Sequence, residues 1–396
     1  MFFKKYKLKD LGEIVTGKTP KKSNKEYYNS NDIMFIKPDD LFQDNILLLN
    51  NSKEYISKKG AETVRVLPKN SVLVTCIGTI GKVAILNSDE AAFNQQINAI
   101  IPNEKIIISK FLAYSIWFNR RKLQAVANAP VVPIINKTQF SEFEIQVPNI
   151  DYQKKVVNIL DKASDLINKR KAQIEALDQL TQSVFLEMFG DPVRNSLKWD
   201  MVRLGQLGEW KSGGTPSRSN KEYFKGKIPW LSAGELNSIF TYSSNEYITE
   251  EALENSAAKL IEKDSLLLGM YDTAALKATI NKVECSCNQA VAFAKLDESI
   301  VDTIFVYYCI QIGKNYYKRL QRGVRQKNMN LTMIKNIQII CPNVELQRKF
   351  ANVVENILEQ KGKLVKGLIE LENNYNSLIQ RTFKGELFTE EKASNF

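Results

Sequence analysis

The sequence predicts a mixed α/β (α+β) protein written twice: two tandem globular domains, separated by two long antiparallel coiled-coil helices and related by a pseudo-twofold internal repeat. The first observation behind this is a collinear self-similarity, which has to be settled before any element is assigned. SNKEYY at Ser23–Tyr28 returns as SNKEYF at Ser219–Phe224, and GKTP at Gly17–Pro20 returns as GGTP at Gly213–Pro216. KVAI at Lys82–Ile85 answers KATI at Lys277–Ile280, and PNIDYQKKVVNIL from Pro148 answers PNVELQRKFANVV from Pro342. The second is a set of short apolar runs broken by Gly, Pro, Asn and Asp, the pattern of strands joined by turns. The third is a pair of proline-free stretches, Asp151 to Phe189 and Glu345 to Phe383, whose apolar residues recur at heptad spacing.

These features divide the chain into a first domain (1–147), a first long spacer helix (148–192), a second domain (193–341), and a second long spacer helix with a C-terminal tail (342–396). In the first helix the seam falls on Leu160, Ala163, Ile167, Arg170, Ile174, Leu177, Thr181, Val184 and Met188. In the second it falls on Val354, Ile357, Lys361, Leu364, Leu368, Leu371, Tyr375, Leu378 and Thr382. A helix of this length extends about 58 Å, too far to be buried along its whole length by one small domain. Each polar-sided helix therefore needs a partner, and the same chain supplies one in matching register. An antiparallel pair of this kind predicts a rigid spacer.

A chain of 396 residues with 44 % hydrophobic and 25 % charged residues is a folded protein of two or three domains. Its net charge is +11, with a basic excess of +7 over residues 1–195 and +4 over 196–396, a balance suited to nucleic acid or another anionic surface. It contains no histidine, which excludes imidazole metal sites and Ser-His-Asp or Cys-His catalysis. Five cysteines form no disulfide framework and fit a reducing compartment. Cys285 and Cys287 make only a CxC, which would need further soft ligands to hold a metal. With no long apolar run and no signal-like N-terminus, the sequence predicts a cytoplasmic protein without a membrane partner.

The positive charge recurs at one place in the repeat. Between Glu104 and Glu142 there is no acid but Lys105, Lys110, Arg120, Arg121, Lys122 and Lys137. Between Asp302 and Glu345 there is again none, with Lys314, Lys318, Arg319, Arg322, Arg325, Lys327 and Lys335. A basic run is usually a solvated face; its recurrence in two diverged copies points to a phosphate-backbone footprint. Base edges are read by forked or amide donors, and QRGVRQKNMN at Gln321–Asn330 offers Arg325, Gln326, Lys327 and Asn328 around a glycine turn. The first copy has NAPVVPIIN at Asn128–Asn136 instead, so loops that read bases would read different ones.

GEIVTGKT at Gly12–Thr19 matches the phosphate-loop pattern, the alternative being an NTPase using Lys18 and Thr19. The sequence argues against it: Pro20 follows directly, the preceding run is too charged for a central strand, and the repeat partner GEWKSGGT lacks the lysine. No amino-methyltransferase tetrapeptide, S-adenosylmethionine loop or Pro-Asp…Glu-x-Lys nuclease arrangement is present.

The ordered motifs LGEIVTGKTP from Leu11 and LGEWKSGGTP from Leu207, GKIPWLSAGEL from Gly226, LPKNSVLVTCIGTIGKVAI from Leu67, FNQQ from Phe93 and CNQA from Cys287 resemble the specificity subunits of type I restriction-modification systems. So do the two long helices, each opening with Pro-Asn and a glutamine, Gln153 and Gln347. The resemblance covers nearly the whole chain. It implies a non-catalytic subunit that binds double-stranded DNA, each domain reading one half of a bipartite, asymmetric site while the helices set the spacer. It also implies docking of two adenine-methylating modification subunits and of ATP-dependent restriction subunits. No cofactor is expected in this chain; S-adenosylmethionine, ATP and Mg are expected only in those partners. A recognition subunit of another restriction class is the alternative.

The first copy departs from the family pattern at SNDIMFIKPDDL and at NAPVVPIIN, which turns attention there to Lys37, Thr79 and Lys82. The candidate DNA contacts are Lys18, Thr19, Lys37, Thr79, Lys82, Arg120, Arg121, Lys122 and Lys137 in the first domain. In the second they are Thr215, Arg218, Lys277, Arg319, Arg322, Arg325, Gln326, Lys327 and Asn328.

Overall fold

The apolar run after Asn70 folds as Val72–Thr75, a strand buried at every residue in the middle of a five-stranded sheet. The structure is a computed structural model that describes residues 3–42, 46–127, 132–320 and 328–387. It divides into two units, Met1–Arg170 with Gly367–Phe396, and Lys171–Lys366.

In the first unit the sheet runs in the order Gly12–Thr16, Ile97–Pro102, Val72–Thr75, Val83–Leu86, Leu47–Leu49, with only the last pair parallel. In the second unit the order is Lys211–Ser212, Val291–Ala294, Leu266–Gly269, Ala278–Asn281, Phe240–Thr241, again with only the last pair parallel. A smaller sheet follows the same rule. Ile33–Ile36 pairs antiparallel with Tyr55–Ile56 and parallel with Glu90–Phe93, as Ile228–Leu231 does with Tyr247–Ile248 and Ser286–Cys287. A two-stranded ribbon closes each unit, Lys4–Lys7 with Glu144–Val147 and Met201–Arg203 with Gln338–Ile340. The internal repeat is thus a repeat of topology and register, in mixed helix and sheet.

The long helices span Ile150–Phe189 and Val344–Phe383 and pack together. Every predicted seam position is buried or half-buried, and from Lys171 to Leu180 only Ile174 and Leu177 are shielded from solvent. The seam is the narrow stripe of a two-stranded coiled coil and not the wide face of a core helix. Its polar members have local reasons. In the first unit Arg170 lies against Gly367, where a side chain would collide with the guanidinium; in the second, Lys361 Nζ donates to Asp178 Oδ2 at 2.7 Å.

The first unit is completed by Ile379 and Phe383, which join Phe111, Ile116, Val156 and Leu160 in one core. The Phe383 ring stands 5.5 Å from that of Phe111 and 4.9 Å from that of Phe118. The second unit repeats this with Phe185 and Phe189, packed on Phe305 and Phe350 at 4.8 to 5.7 Å. Burying one such ring is worth about 1.5–3 kcal/mol.

The Pro-Asn…Gln openings acquire a physical meaning. Asn149 Oδ1 accepts from Tyr152 N at 2.9 Å and Asn343 Oδ1 from Glu345 N at 2.8 Å, so the asparagines cap the helices. Gln153 is fully buried: its Oε1 accepts from Ile108 N at 2.9 Å, and its Nε2 donates to Ile106 O and Pro148 O at 3.0 and 2.9 Å. Gln347 repeats the arrangement with Asp302 N, Ile300 O and Pro342 O. Each amide fastens its long helix to the loop that enters the helix Ser109–Phe118 or Thr303–Tyr317.

The cysteines are free, four of them buried and Cys341 half-buried. Cys285 and Cys287 are core residues beside Leu231 and Ile261, and burial pushes the Cys285 thiol up to about 12. Among the described residues no helix is long and apolar enough to cross a membrane.

Replacing Gln153 by Leu strands one backbone donor and two acceptors away from water, at about 1–3 kcal/mol for each group left unsatisfied. Gln153→Leu is expected to lower the denaturant midpoint of the first unit clearly, and an unchanged unfolding curve would count against this role.

Candidate nucleic-acid interface

In the first unit three segments converge at one end of the inner strands of the main sheet. The turn between Val72–Thr75 and Val83–Leu86 carries Gly81 in the left-handed region (φ +86°), and a side chain there would press on Arg120. The short helix Arg120–Ala125 is fastened to this turn by Gln124 Nε2 donating to Ile80 O at 2.9 Å. The chain after the described gap returns beside it, with Gly78 N donating to Pro133 O at 3.0 Å and Ile77 bridged to Ile134.

This convergence presents Thr79, Arg121 and Lys122 to solvent, and neither base has an ion-pair partner among the described residues. Arg120 is half-buried, its guanidinium 4.2 Å from the Trp117 ring centre and donating to Trp117 O. Lys137 is exposed at the start of the helix Lys137–Glu142. Lys82 Nζ donates to Pro38 O at 3.1 Å, tying the turn to the segment that carries Lys37, and Lys37 itself is ion-paired with Glu54. Lys110 is ion-paired with Asp161 of the first long helix. The acid-free window in sequence is therefore not acid-free in space.

The second unit builds the same convergence from different residues. Gln311 Nε2 donates to Leu276 O at 3.0 Å, and Met329 N donates to Met270 O at 2.8 Å beside the Tyr271–Asn328 bridge. Lys277 Nζ donates to Asn237 Oδ1 at 2.7 Å and Gly234 O at 3.3 Å. Burial, then the charges of Lys318 and Lys277, hold the Lys314 ammonium below its ordinary pKa. Three ammonium groups thus gather under the described end of the loop, with Arg319, Tyr271 and Tyr316 exposed in the same region of chain. Lys314 and Lys318 belong to the acid-free window read from the sequence but not to the individual candidate contacts; their i, i+4 spacing is the signal that singles them out within it. Asn328 sits at the bridge, while Arg322, Arg325, Gln326 and Lys327, like residues 128–131 of the first copy, lie outside the described residues.

The remaining candidates hold loops. Gly17 N donates to Ile97 O at 3.2 Å and Lys18 N to Phe93 O at 3.0 Å, so the amides that a phosphate loop would aim at a ligand are spent on neighbouring strands. Gly12–Thr16 is a sheet strand, and a 3-10 turn at Lys25–Tyr28 follows where a phosphate loop opens an α-helix. The NTPase reading of Lys18 and Thr19 loses its geometry here, though the Lys18 side chain is exposed. Thr19 Oγ1 donates to Gln95 Oε1 at 2.6 Å, and Thr215 is bonded to Gln289 in the same way, which explains the glutamines of FNQQ and CNQA. The Arg218 guanidinium lies 4.4 Å from the Phe224 ring centre and 5.0 Å from that of Trp230, and is bidentate to Glu246.

The description "Type I restriction modification DNA specificity domain" belongs to a family model that matches residues 3–176 and again 196–373. The chain belongs to this family. Among curated relatives, the MjaIX specificity subunit of a type I restriction enzyme from Methanocaldococcus jannaschii is 25 % identical, over 97 % of this chain and 93 % of its own. The HindI specificity subunit from Haemophilus influenzae is 35 % identical over 43 % of this chain and 38 % of its own. The fold is that of the type I restriction-modification S subunit from M. genitalium (TM-score 0.60, 14 % identity, 97 % and 96 % coverage). It is also that of a chain solved in the context of type I complex assembly and conformational transition (TM-score 0.63, 13 % identity, 97 % and 98 % coverage).

Within this specificity-domain fold, Arg218 acts on its own domain. The Arg218 hydrogen bonds hold the Glu246 carboxyl below its ordinary value of 4.5. A lowered folded value stabilises above the unfolded one and is lost as pH falls through it. Arg218→Gln is expected to cost about 1 kcal/mol at neutral pH, and the gap to the unsubstituted chain should narrow below about pH 4.5, where the ion pair is lost and the ring contacts remain; a gap that does not narrow in acid would refute the ion pair.

Proposed function

We propose that this chain is the DNA-reading subunit of a type I restriction-modification assembly, each domain reading one half of a bipartite, asymmetric site. The observation that carries the reading is the convergence built twice: one scaffold of turn, helix end and returning loop, bearing free or clustered cations in both units and different loop residues in each. Arg121 and Lys122, and the Lys277–Lys314–Lys318 group with Arg319, would neutralise backbone phosphates, which fixes register without sequence information. Side chains of the neighbouring loops, Asn328 and the Arg, Gln and Lys before it among them, would read base edges in the major groove.

The long helices would then set the spacing between half-sites and offer the surface on which two modification subunits dock, with ATP-dependent restriction subunits joining the complex. Catalysis, S-adenosylmethionine, ATP and Mg belong in this reading to those partners, and the assembly works in the cytoplasm. Membership of a specificity-domain family supports the non-catalytic role.

Co-expression with its cognate modification subunit in a methylation-free host, followed by genome-wide mapping of methylated adenines, tests the proposal. A single bipartite motif is expected, and exchanging residues 1–147 for those of another family member should change one half-site and leave the other. An assembled complex that methylates nothing, or an exchange that alters both half-sites, would refute it.

A further inference from the structure

The two copies treat one corner of the fold in opposite ways. In the second unit Arg218 closes it, with the guanidinium against Phe224 and Trp230 and both nitrogens on Glu246. The equivalent positions in the first unit are Lys22, Tyr28, Phe35 and Glu54, by the SNKEYY repeat and the matching registers Ile33–Ile56 and Ile228–Ile248. There the carboxylate is taken from the other side: Lys37 pairs with Glu54 and lies 5.8 Å from the Phe35 ring centre. Lys22 is left exposed, and the place of the guanidinium is a solvent-open cavity of about 540 Å³ lined by Lys22, Lys25, Tyr28, Asn29 and Glu54.

Charge decides what this cavity takes. Glu54 already has its cation, and neither Lys22 nor Lys25 is ion-paired among the described residues. Two lysines without an ion-pair partner among the described residues therefore line the space, and their charge disfavours a second cation and favours an anion. The Tyr28 ring is held in place by its hydroxyl donating to Pro20 O at 2.8 Å, and Asn29 adds an amide. An aromatic face, an amide and two ammoniums together suit a phosphate ester carrying a sugar and base.

We propose that this corner of the first domain is a nucleoside-phosphate site, closed in the second domain by Arg218, so that the subunit holds nucleic acid asymmetrically. The source of the phosphate ester is a DNA backbone or a free nucleotide; the first rests on the DNA-reading function above, the second does not.

The test uses the full chain bound to its modification subunit and a duplex of arbitrary sequence, with affinity measured against potassium chloride concentration. If a backbone phosphate is held here, Lys22→Gln with Lys25→Gln reduces the slope of log K on log salt by about 1. Lys25→Gln alone weakens binding while Lys221→Gln, its counterpart beside the closed corner, does not. In parallel, adenosine monophosphate is titrated calorimetrically into the complex without DNA; binding that the double variant abolishes assigns the site to free nucleotide. Both lysines are exposed, so an unchanged melting curve separates loss of contact from misfolding. The proposal is overturned if the slope is unchanged and the nucleotide does not bind, or if Lys25→Gln and Lys221→Gln weaken DNA binding equally. A complex that binds no DNA at all defeats the DNA-reading function and leaves the titration to decide the site.

Discussion

The C-terminal half of each long helix serves as core for the unit in which that helix did not begin. Gly367–Phe383 is packed in the unit that holds the N-terminus, and Lys171–Phe189 in the unit that holds the middle of the chain. The rings concerned are at most 8 % exposed, and each packs on rings of the unit it enters. A 40-residue helix with a narrow apolar stripe is unstable alone. Anchoring both of its halves makes it a structural member, and the buried Gln153 and Gln347 fix the point at which each one starts.

That constraint orders the rest. The helices Ser109–Phe118 and Thr303–Tyr317 pack in the same cores as the main sheet and the borrowed helix half, and the short helix that follows the first and the C-terminal end of the second bring Arg120 to Lys122 and Lys314 to Arg319 to the turn at the end of the inner strands. The turn and helix are tied by one glutamine in each copy, Gln124 or Gln311. With the scaffold fixed in this way, the loop that returns to the turn is free to differ, as NAPVVPIIN and QRGVRQKNMN do. A rigid platform with variable loops is the arrangement in which specificity can change without cost to the core.

Much of this was legible in the sequence. The mixed strand and helix content and its duplication followed from apolar runs, turn residues and the internal repeat, and the heptad seam was readable position by position because burial in a two-stranded coil depends largely on spacing. Contacts that join residues far apart in sequence were not legible. Nothing in the string announces that Lys110 meets Asp161, that Lys37 takes Glu54, or that Arg218 is consumed by Glu246 and two rings. The phosphate-loop pattern misled for a related reason, since spacing does not say where backbone amides point, and here they point at the next strand. The pairing of the helices was foreseen from their matched registers, but not that each would finish the core of the unit it enters, because Phe185, Phe189 and Phe383 each fall one position beyond the seam, and heptad spacing does not say on what a ring beside the seam packs.

The exchange of helix halves is tested most directly by hydrogen exchange on the full chain carrying Phe383→Ala, a substitution that removes about 3–5 kcal/mol of core packing. The amides of Ser109–Phe118 should lose protection while those of Thr303–Tyr317 keep theirs. Undisturbed protection at Ser109–Phe118, or loss confined to Thr303–Tyr317, would contradict the account.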